Sequence, residues 1–167
     1  LFLAACNEFC ELHFEHRSHT YLPIAVDATC SGLQILAGLA KDVSTARMVN
    51  VVNSDKPQDA YAIIAEQSKG SIPERLVPYW DRKVTKRCVM TIPYNAKPFS
   101  NRSYIRDAFK EKGIEVNKDE LTLCVSAVRK AMNIVVPGAM SVMKWIEQEV
   151  ARAVKAGANE IRWTTPS

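Results

Sequence analysis

The amino-acid sequence predicts an α+β chain that is mostly α-helical. Three observations carry that expectation. Apolar residues recur at helical spacing along most of the 167 residues, strand-forming apolar runs are confined to two short stretches, and 47% hydrophobic with 24% charged residues is ordinary globular composition.

The elements follow in chain order. Leu3, Cys6, Phe9, Cys10, Leu12 and His13 recur near helical period, which predicts a helix over residues 1 to about 15. Tyr21 to Asp27 (YLPIAVD) is a short apolar run behind a turn-prone stretch and predicts a strand. Ser31 to Ala40 (SGLQILAGLA) predicts a helix with Ser31 as its N-cap, and Pro57 marks the start of the next helix through QDAYAIIAEQS. Gly70, Pro73 and Pro78 break the middle of the chain, and Tyr79 to Tyr94 is then a helix whose last turn Pro93 weakens. Further helical patterns run from about 98 to 110 and 118 to 136. Pro137 and Gly138 interrupt, Ser141 restarts a helix that Gly157 stops, and Glu160 to Thr165 (EIRWTT) predicts a terminal strand.

Composition narrows the function classes. No apolar run approaches the roughly 20 residues a membrane span needs, and LFLAAC at the start is too short, and lacks the basic leader, for a signal peptide, so no membrane partner is expected. The 22 Lys and Arg against 18 Asp and Glu leave +4, which permits an anionic partner without demanding one. Cys6, Cys10, Cys30, Cys88 and Cys124 form an odd set without framework spacing, which points to a reducing, intracellular setting. Leu1 opens inside a helical pattern and Ser167 closes just after Pro166, so a piece of a longer chain is expected. Phosphate-loop, dinucleotide-fold and serine-hydrolase signatures do not occur in the sequence.

Three constellations bear on chemistry. In VDATCSGLQ, Val26 to Gln34, Asp27 ends an apolar strand, where its carboxylate is suited either to capping the next helix or to oxygen ligation of Mg²⁺. In DRKVTKRCVMTIPYN, Asp81 to Asn95, Arg82, Lys86, Met90 and Tyr94 recur every four residues and share one face, with Lys86 and Tyr94 roughly 12 Å apart along the axis. That span suits the phosphates and sugar of an extended nucleoside triphosphate, with Arg82, Lys86 and Arg87 on the phosphates; a solvated basic face over a core of Val89, Met90 and Ile92 is the alternative. Cys6, Cys10, His13 and His16 are zinc-ligand types, but ten positions of one helix span roughly 15 Å and do not converge on a tetrahedral ion. The helix from Ser141, with Val142, Trp145, Ile146 and Val150, reads as amphipathic packing.

Taken together, the two main segments resemble the single-subunit, bacteriophage-type RNA polymerases. VDATCSGLQ is similar to that family's palm motif D-x-x-x-S-G-x-Q, and RKVTKRCVMTIPY to its fingers helix R-x-V-T-K-R-x-V-M-T-x-x-Y. Weaker similarity runs through FLAACNEFCE, ARMVNVV, QDAYAIIA and IRWTTP, so the resemblance extends over essentially the whole chain. It implies a partial palm with short strands and helical fingers: residues 1–50 as a palm segment with motif A, 51–157 as a fingers segment with motif B, and 158–167 as the start of a strand or turn.

By the same resemblance, Asp27 is one of two metal-binding catalytic aspartates, with the main-chain carbonyl of Ala28 a further Mg²⁺ ligand. Lys86 is the catalytic lysine beside the leaving pyrophosphate, Arg82 and Arg87 meet the phosphates, Met90 belongs to the nucleotide face, and Tyr94 selects the sugar. Gly32 stands where related DNA polymerases carry a glutamate that blocks a 2′-hydroxyl, and is expected to leave that space open to ribonucleotides. Two features depart from the family pattern: Pro93-Tyr94-Asn95 replaces a small residue and a glycine on either side of the tyrosine, and no H-D-S motif for the second aspartate occurs in these residues. The expectation is a fragment of a DNA-dependent RNA polymerase, a monomeric nucleotidyltransferase in which it joins the rest of the polymerase chain, a DNA template, nascent RNA and nucleoside triphosphates, the fragment alone being inactive. The rival readings are a family A DNA polymerase and a non-catalytic helical module binding nucleic acid through Arg82, Lys83, Lys86 and Arg87. The compact spacing between the motifs points to a phage, and so to the cytoplasm of an infected bacterium.

Overall fold

A computed structural model describes residues 2–23, 29–162 and 164. Among the described residues eight α-helices follow one another: α1 (Phe2–His13), α2 (Ser31–Ala40), α3 (Val43–Met48), α4 (Ala60–Ser68), α5 (Arg82–Thr91), α6 (Pro98–Lys110), α7 (Lys118–Val135) and α8 (Pro137–Lys155). Tight 3₁₀ turns at Lys69–Ser71, Glu74–Tyr79 and Ile92–Tyr94 fill the breaks where Gly70, Pro73, Pro78 and Pro93 stand. The mostly helical expectation holds, but there is no strand among the described residues. Ile24 to Ala28, the greater part of the strand expected at Tyr21–Asp27, and Trp163, Thr165, Pro166 and Ser167 lie outside the described residues; Glu160 to Arg162 are exposed and irregular rather than extended into a sheet.

The helices form where capping and patterning agree. Asn117 and Glu120 make a reciprocal capping box at the start of α7, and Asp81 accepts from the amides of Lys83 and Val84 at the start of α5. Three expected starts move by a few residues: α5 begins at Arg82, behind its Asp81 cap, rather than at Tyr79, which ends a 3₁₀ turn. Asp59, not Pro57, opens α4, since its carboxylate takes the Tyr61 and Ala62 amides. Pro137 opens α8, because a proline in the first turn forfeits no intrahelical bond. α2 is not capped by Ser31: Cys30 holds the N-cap position in a left-handed conformation, φ 68°. α3, too short to show a period, follows directly and is capped by Asp42.

α4, α5, α6 and α7 pack on one another around Ile64, Val84, Val89, Ile105, Phe109, Leu121, Val128 and Met132, all buried. Trp80 locks the turn before α5 into this core by donating from its indole N–H to the Ala65 carbonyl (3.1 Å) and Ser68 Oγ (2.9 Å), with its ring against Phe109. The Thr85 hydroxyl donates to the Tyr61 carbonyl (3.2 Å), tying α5 to α4 inside the core. α2 packs instead on α8, which turns by 109° from α7 at Val136. Asp42 joins the two parts of the fold: its Oδ1 takes the Ser44 amide and its Oδ2 the Gly138 amide (3.1 Å), and a side chain at Gly138 would collide with the carboxylate.

α1 buries none of its residues, and Cys6 and Cys10 on it are exposed, whereas Cys30, Cys88 and Cys124 are buried. Packing accounts for only part of α8: Ala139 is buried and Val142 packs on the core, while Trp145, Ile146, Val150 and Val154 face outward.

Candidate functional site

The site is set by where α5 starts and ends. Asp59 uses one oxygen to cap α4 and the other to receive Arg82 Nε at 2.5 Å, so the first residue of α5 is fixed against the first turn of α4. The Arg82 guanidinium then lies 5.2 Å from the ring centroid of Tyr61, and Lys86 Nζ, one turn on, lies 5.9 Å from it. Tyr61 is 8% exposed, and burial raises its phenol well above the ordinary tyrosine range. The ring is thus a neutral surface against which two cations rest, an arrangement favoured by the negative face of the aromatic quadrupole. Lys86 has no ion-pair partner among the described residues, whereas Arg82 is paired.

The other end of α5 turns back toward α2. Pro93 converts the last turn to 3₁₀ geometry, and Asn95 leaves it in a left-handed conformation, φ 65°, the exit that asparagine tolerates better than most residues. This carries Tyr94 over the start of α2. Its hydroxyl stands 3.1 Å from Ser31 Oγ, and its ring lies so close to Gly32 that a Cβ there would come within 3.1 Å of the ring and 2.9 Å of Pro93 Cβ. The space over Gly32 is therefore not open, as the sequence suggested, but taken by Tyr94.

Between these ends lies a cavity of about 400 Å³, within the range of small-molecule sites. Arg82, Lys86, Met90 and Tyr94 line one wall, as their four-residue recurrence predicts, with Tyr61 behind them. The opposite wall is Thr29 and the first turn of α2, where a helix start leaves backbone N–H groups without intrahelical acceptors, a setting that suits an anion. Burial pushes the Cys30 thiol upward, so it contributes no charge here. Arg87 is not part of this wall. One residue on from Lys86, it is rotated about 100° around the helix and lies over the Tyr104 ring of α6 at 4.5 Å.

Asp27 and Ala28 lie outside the described residues. Thr29 and Ser31 line the cavity but no carboxylate does so among the described residues, and Asp59 is committed to its helix cap and Arg82. The described lining does not by itself make a Mg²⁺ ligand set. Tyr61 and Asp59 were not singled out from the sequence as site residues; the only local signal was an acidic residue at a helix start two positions before an aromatic in QDAY.

The family model described as DNA-dependent RNA polymerase matches residues 1–167. The chain is 30% identical over 188 residues to the chloroplastic DNA-directed RNA polymerase 3 of Nicotiana sylvestris, covering 98% of this chain and 19% of that one. It is 30% identical to the mitochondrial DNA-directed RNA polymerase 1 of the same plant, over 88% of this chain and 17% of that protein. It is 31% identical to DNA-directed RNA polymerase 2A of Nicotiana tabacum, over 89% of this chain and 51% of that one. The chain thus spans about a fifth of the length of the first two. The expected setting, the cytoplasm of a phage-infected bacterium, is overturned by relatives whose names place them in plant chloroplasts and mitochondria. Motif spacing reflects the fold that the two motifs share and carries no information about source.

Proposed function

This chain belongs to the DNA-dependent RNA polymerase family, and from that premise we propose that its cavity receives the triphosphate and ribose of an incoming ribonucleoside triphosphate during RNA synthesis on a DNA template. The observation that carries the reading is the convergence of the two motif segments, which are distant in sequence, on one cavity: Ser31 and Gly32 on one side, Arg82, Lys86, Met90 and Tyr94 on the other. The family match supports this reading over the DNA polymerase alternative.

The roles proposed for the residues that line the cavity rest on their positions. Lys86, unpaired among the described residues and resting on Tyr61, is the cation free to meet the β- and γ-phosphates and to offset charge on the departing pyrophosphate. Arg82 is held by Asp59 and Tyr61, which fixes its guanidinium for a phosphate oxygen at little entropic cost. Tyr94 and Ser31 form the polar pair at the sugar end, and Met90 gives an apolar contact between the two ends. Asp27 and the Ala28 carbonyl are the proposed Mg²⁺ ligands; Mg²⁺ bound there would neutralise triphosphate charge and activate the attacking hydroxyl. The DNA template, the nascent RNA and the remaining polymerase chain are the partners this reading requires.

Lys86→Gln, made in the polymerase chain that carries these residues, tests the phosphate end. The expected result is a fall in kcat of about a hundredfold or more, the scale of losing a group that stabilises transition-state charge, with template affinity unchanged. An unaltered kcat would return Lys86 to a solvated face.

A further inference from the structure

The segment that carries Tyr94 is held by polar contacts rather than by packing. Between Ile92 and Asn101 no residue is buried, and Tyr94 itself is 64% exposed, so its ring keeps its place over Gly32 only as well as the backbone beneath it keeps its shape. That backbone ends α5 in a doubly bonded turn: the Asn95 amide donates to the Ile92 carbonyl (2.8 Å) and the Ala96 amide to the Thr91 carbonyl (3.2 Å), with Asn95 as its left-handed residue. Behind the turn, a cavity of about 200 Å³ lined by Ile92, Asn95, Ala96, Arg129, Met140 and Met143 leaves it room to shift.

One side chain of α7 reaches across to this turn. The Arg129 guanidinium donates through Nη2 to the Ala96 carbonyl, and through Nε (3.1 Å) and Nη2 (2.9 Å) to Asn101 Oδ1 in α6. Arg129 is half-buried and makes no ion pair among the described residues, so these two oxygens are what its charge rests on, and burial holds it below the ordinary arginine pKa. A guanidinium only donates, so Asn101 must turn its amide oxygen to Arg129. Its Nδ2 is then the one buried side-chain donor left without a partner among the described residues, a costly arrangement that the hold on Arg129 explains. The other hold on the turn, Lys97 Nζ on Asn95 Oδ1 (2.6 Å) and Glu147 Oε1 (3.0 Å), is weaker, because the ion pair is 64% and 50% exposed and such pairs contribute little. We propose that Arg129 is a positioning residue for sugar selection: by fixing the Ala96 carbonyl it holds the turn that keeps Tyr94 over Gly32 and beside Ser31. Arg129 does not line the nucleotide cavity and acts on it through the backbone alone. The proposal rests on the reading of that cavity as the ribonucleotide site.

The test is a double-mutant cycle in the polymerase chain that carries these residues, read as the ratio of kcat/KM for ribonucleoside and deoxyribonucleoside triphosphates on one template. A loss of folded enzyme scales both values alike and leaves their ratio unmoved, so a merely structural role for Arg129 predicts no change. Arg129→Met keeps an unbranched stem and removes every donor; it should lower the ratio roughly three- to tenfold, within the range for residues coupled through a shared backbone shift. Arg129→Lys keeps the charge but not the fork, and should lower it by less. On the Tyr94→Phe background Arg129→Met should add nothing, because the hydroxyl whose position it controls is gone. Wild-type ratios in both Arg129 variants, or a full further loss in the double variant, would overturn the proposal and leave the nucleotide reading standing wherever Tyr94→Phe alone moves the ratio. A wild-type ratio in Tyr94→Phe itself would overturn both.

Discussion

Tyr94 and Gly32 are in mutual contact: the phenol ring stands where a side chain at 32 would go, 3.1 Å from an ideal Cβ, and its hydroxyl meets Ser31 3.1 Å away. The absence of a side chain at Gly32 is what allows the end of the basic helix to close onto the start of α2. A residue of the VDATCSGLQ segment thereby sets the position of the tyrosine from the segment that follows it.

Gly32→Ala separates this contact from backbone effects, since the position does not need a positive φ. Alanine favours a helix over glycine by about 0.5–1 kcal/mol, whereas crowding a packed contact costs about 1–3 kcal/mol. The two nearly offset, so thermal stability should fall only slightly. Because Pro93 cannot give way easily, the Tyr94 ring should be displaced, and discrimination between ribose and deoxyribose should weaken. Measuring kcat/KM for both nucleotide types checks this; an unchanged ratio would mean that Gly32 does not position Tyr94.

Asp59 serves both the α4 cap and Arg82, and the two roles are separable. Asn retains the cap and loses the ion pair, while Ala loses both. The pair is about half exposed, with side-chain exposures of 48% and 42%, so its loss should cost under about 1 kcal/mol. Loss of the cap adds about 1 kcal/mol. Denaturant midpoints should therefore rank wild type, Asp59→Asn, Asp59→Ala, with the larger step at the second substitution. Equal midpoints for the two variants would contradict the cap.

Asp42 gives the fold an acid-sensitive joint. The Thr45 hydroxyl, then the amides of Thr45, Ser44 and Gly138, hold its carboxyl below the ordinary value of 3.8, against the opposing effect of burial. A depressed folded-state pKa contributes stability that is fully present above the unfolded value and is lost as pH falls through the folded one. Unfolding monitored from about pH 6 down to about 2 should show a decline below about pH 4 that is smaller in Asp42→Asn. An identical decline in both would remove Asp42 as a contributor.

How much of this was legible in the sequence depended on how local each signal was. The extents of α6 and α7 follow from helical periodicity and the interruption at Pro137, and the cavity wall of Arg82, Lys86, Met90 and Tyr94 follows from a four-residue recurrence, because both are properties of a single helix. The contact of Tyr61 with two cations, and of Tyr94 with Gly32, depends on how separate helices pack, and no spacing encodes that. Arg87 illustrates the limit: adjacent to Lys86 and of the same charge, it is turned by the helix to Tyr104 instead. Cys30 at φ 68° displaced Ser31 from the cap without any composition signal, since cysteine has no preference for that conformation.

The central claim is that the Tyr94 end of the cavity holds a sugar. Its most direct test is the ratio of kcat/KM for ribonucleoside and deoxyribonucleoside triphosphates on one template, with Tyr94→Phe in the polymerase chain that carries these residues. A polar group left unpaired when the 2′-hydroxyl is missing costs about 1–3 kcal/mol, and each 1.36 kcal/mol is tenfold. The variant should accordingly keep most of its activity on ribonucleotides, since the ring still packs on Gly32, and lose roughly five- to 150-fold of its discrimination against deoxyribonucleotides. A ratio identical to wild type would contradict the assignment of this cavity to the nucleotide.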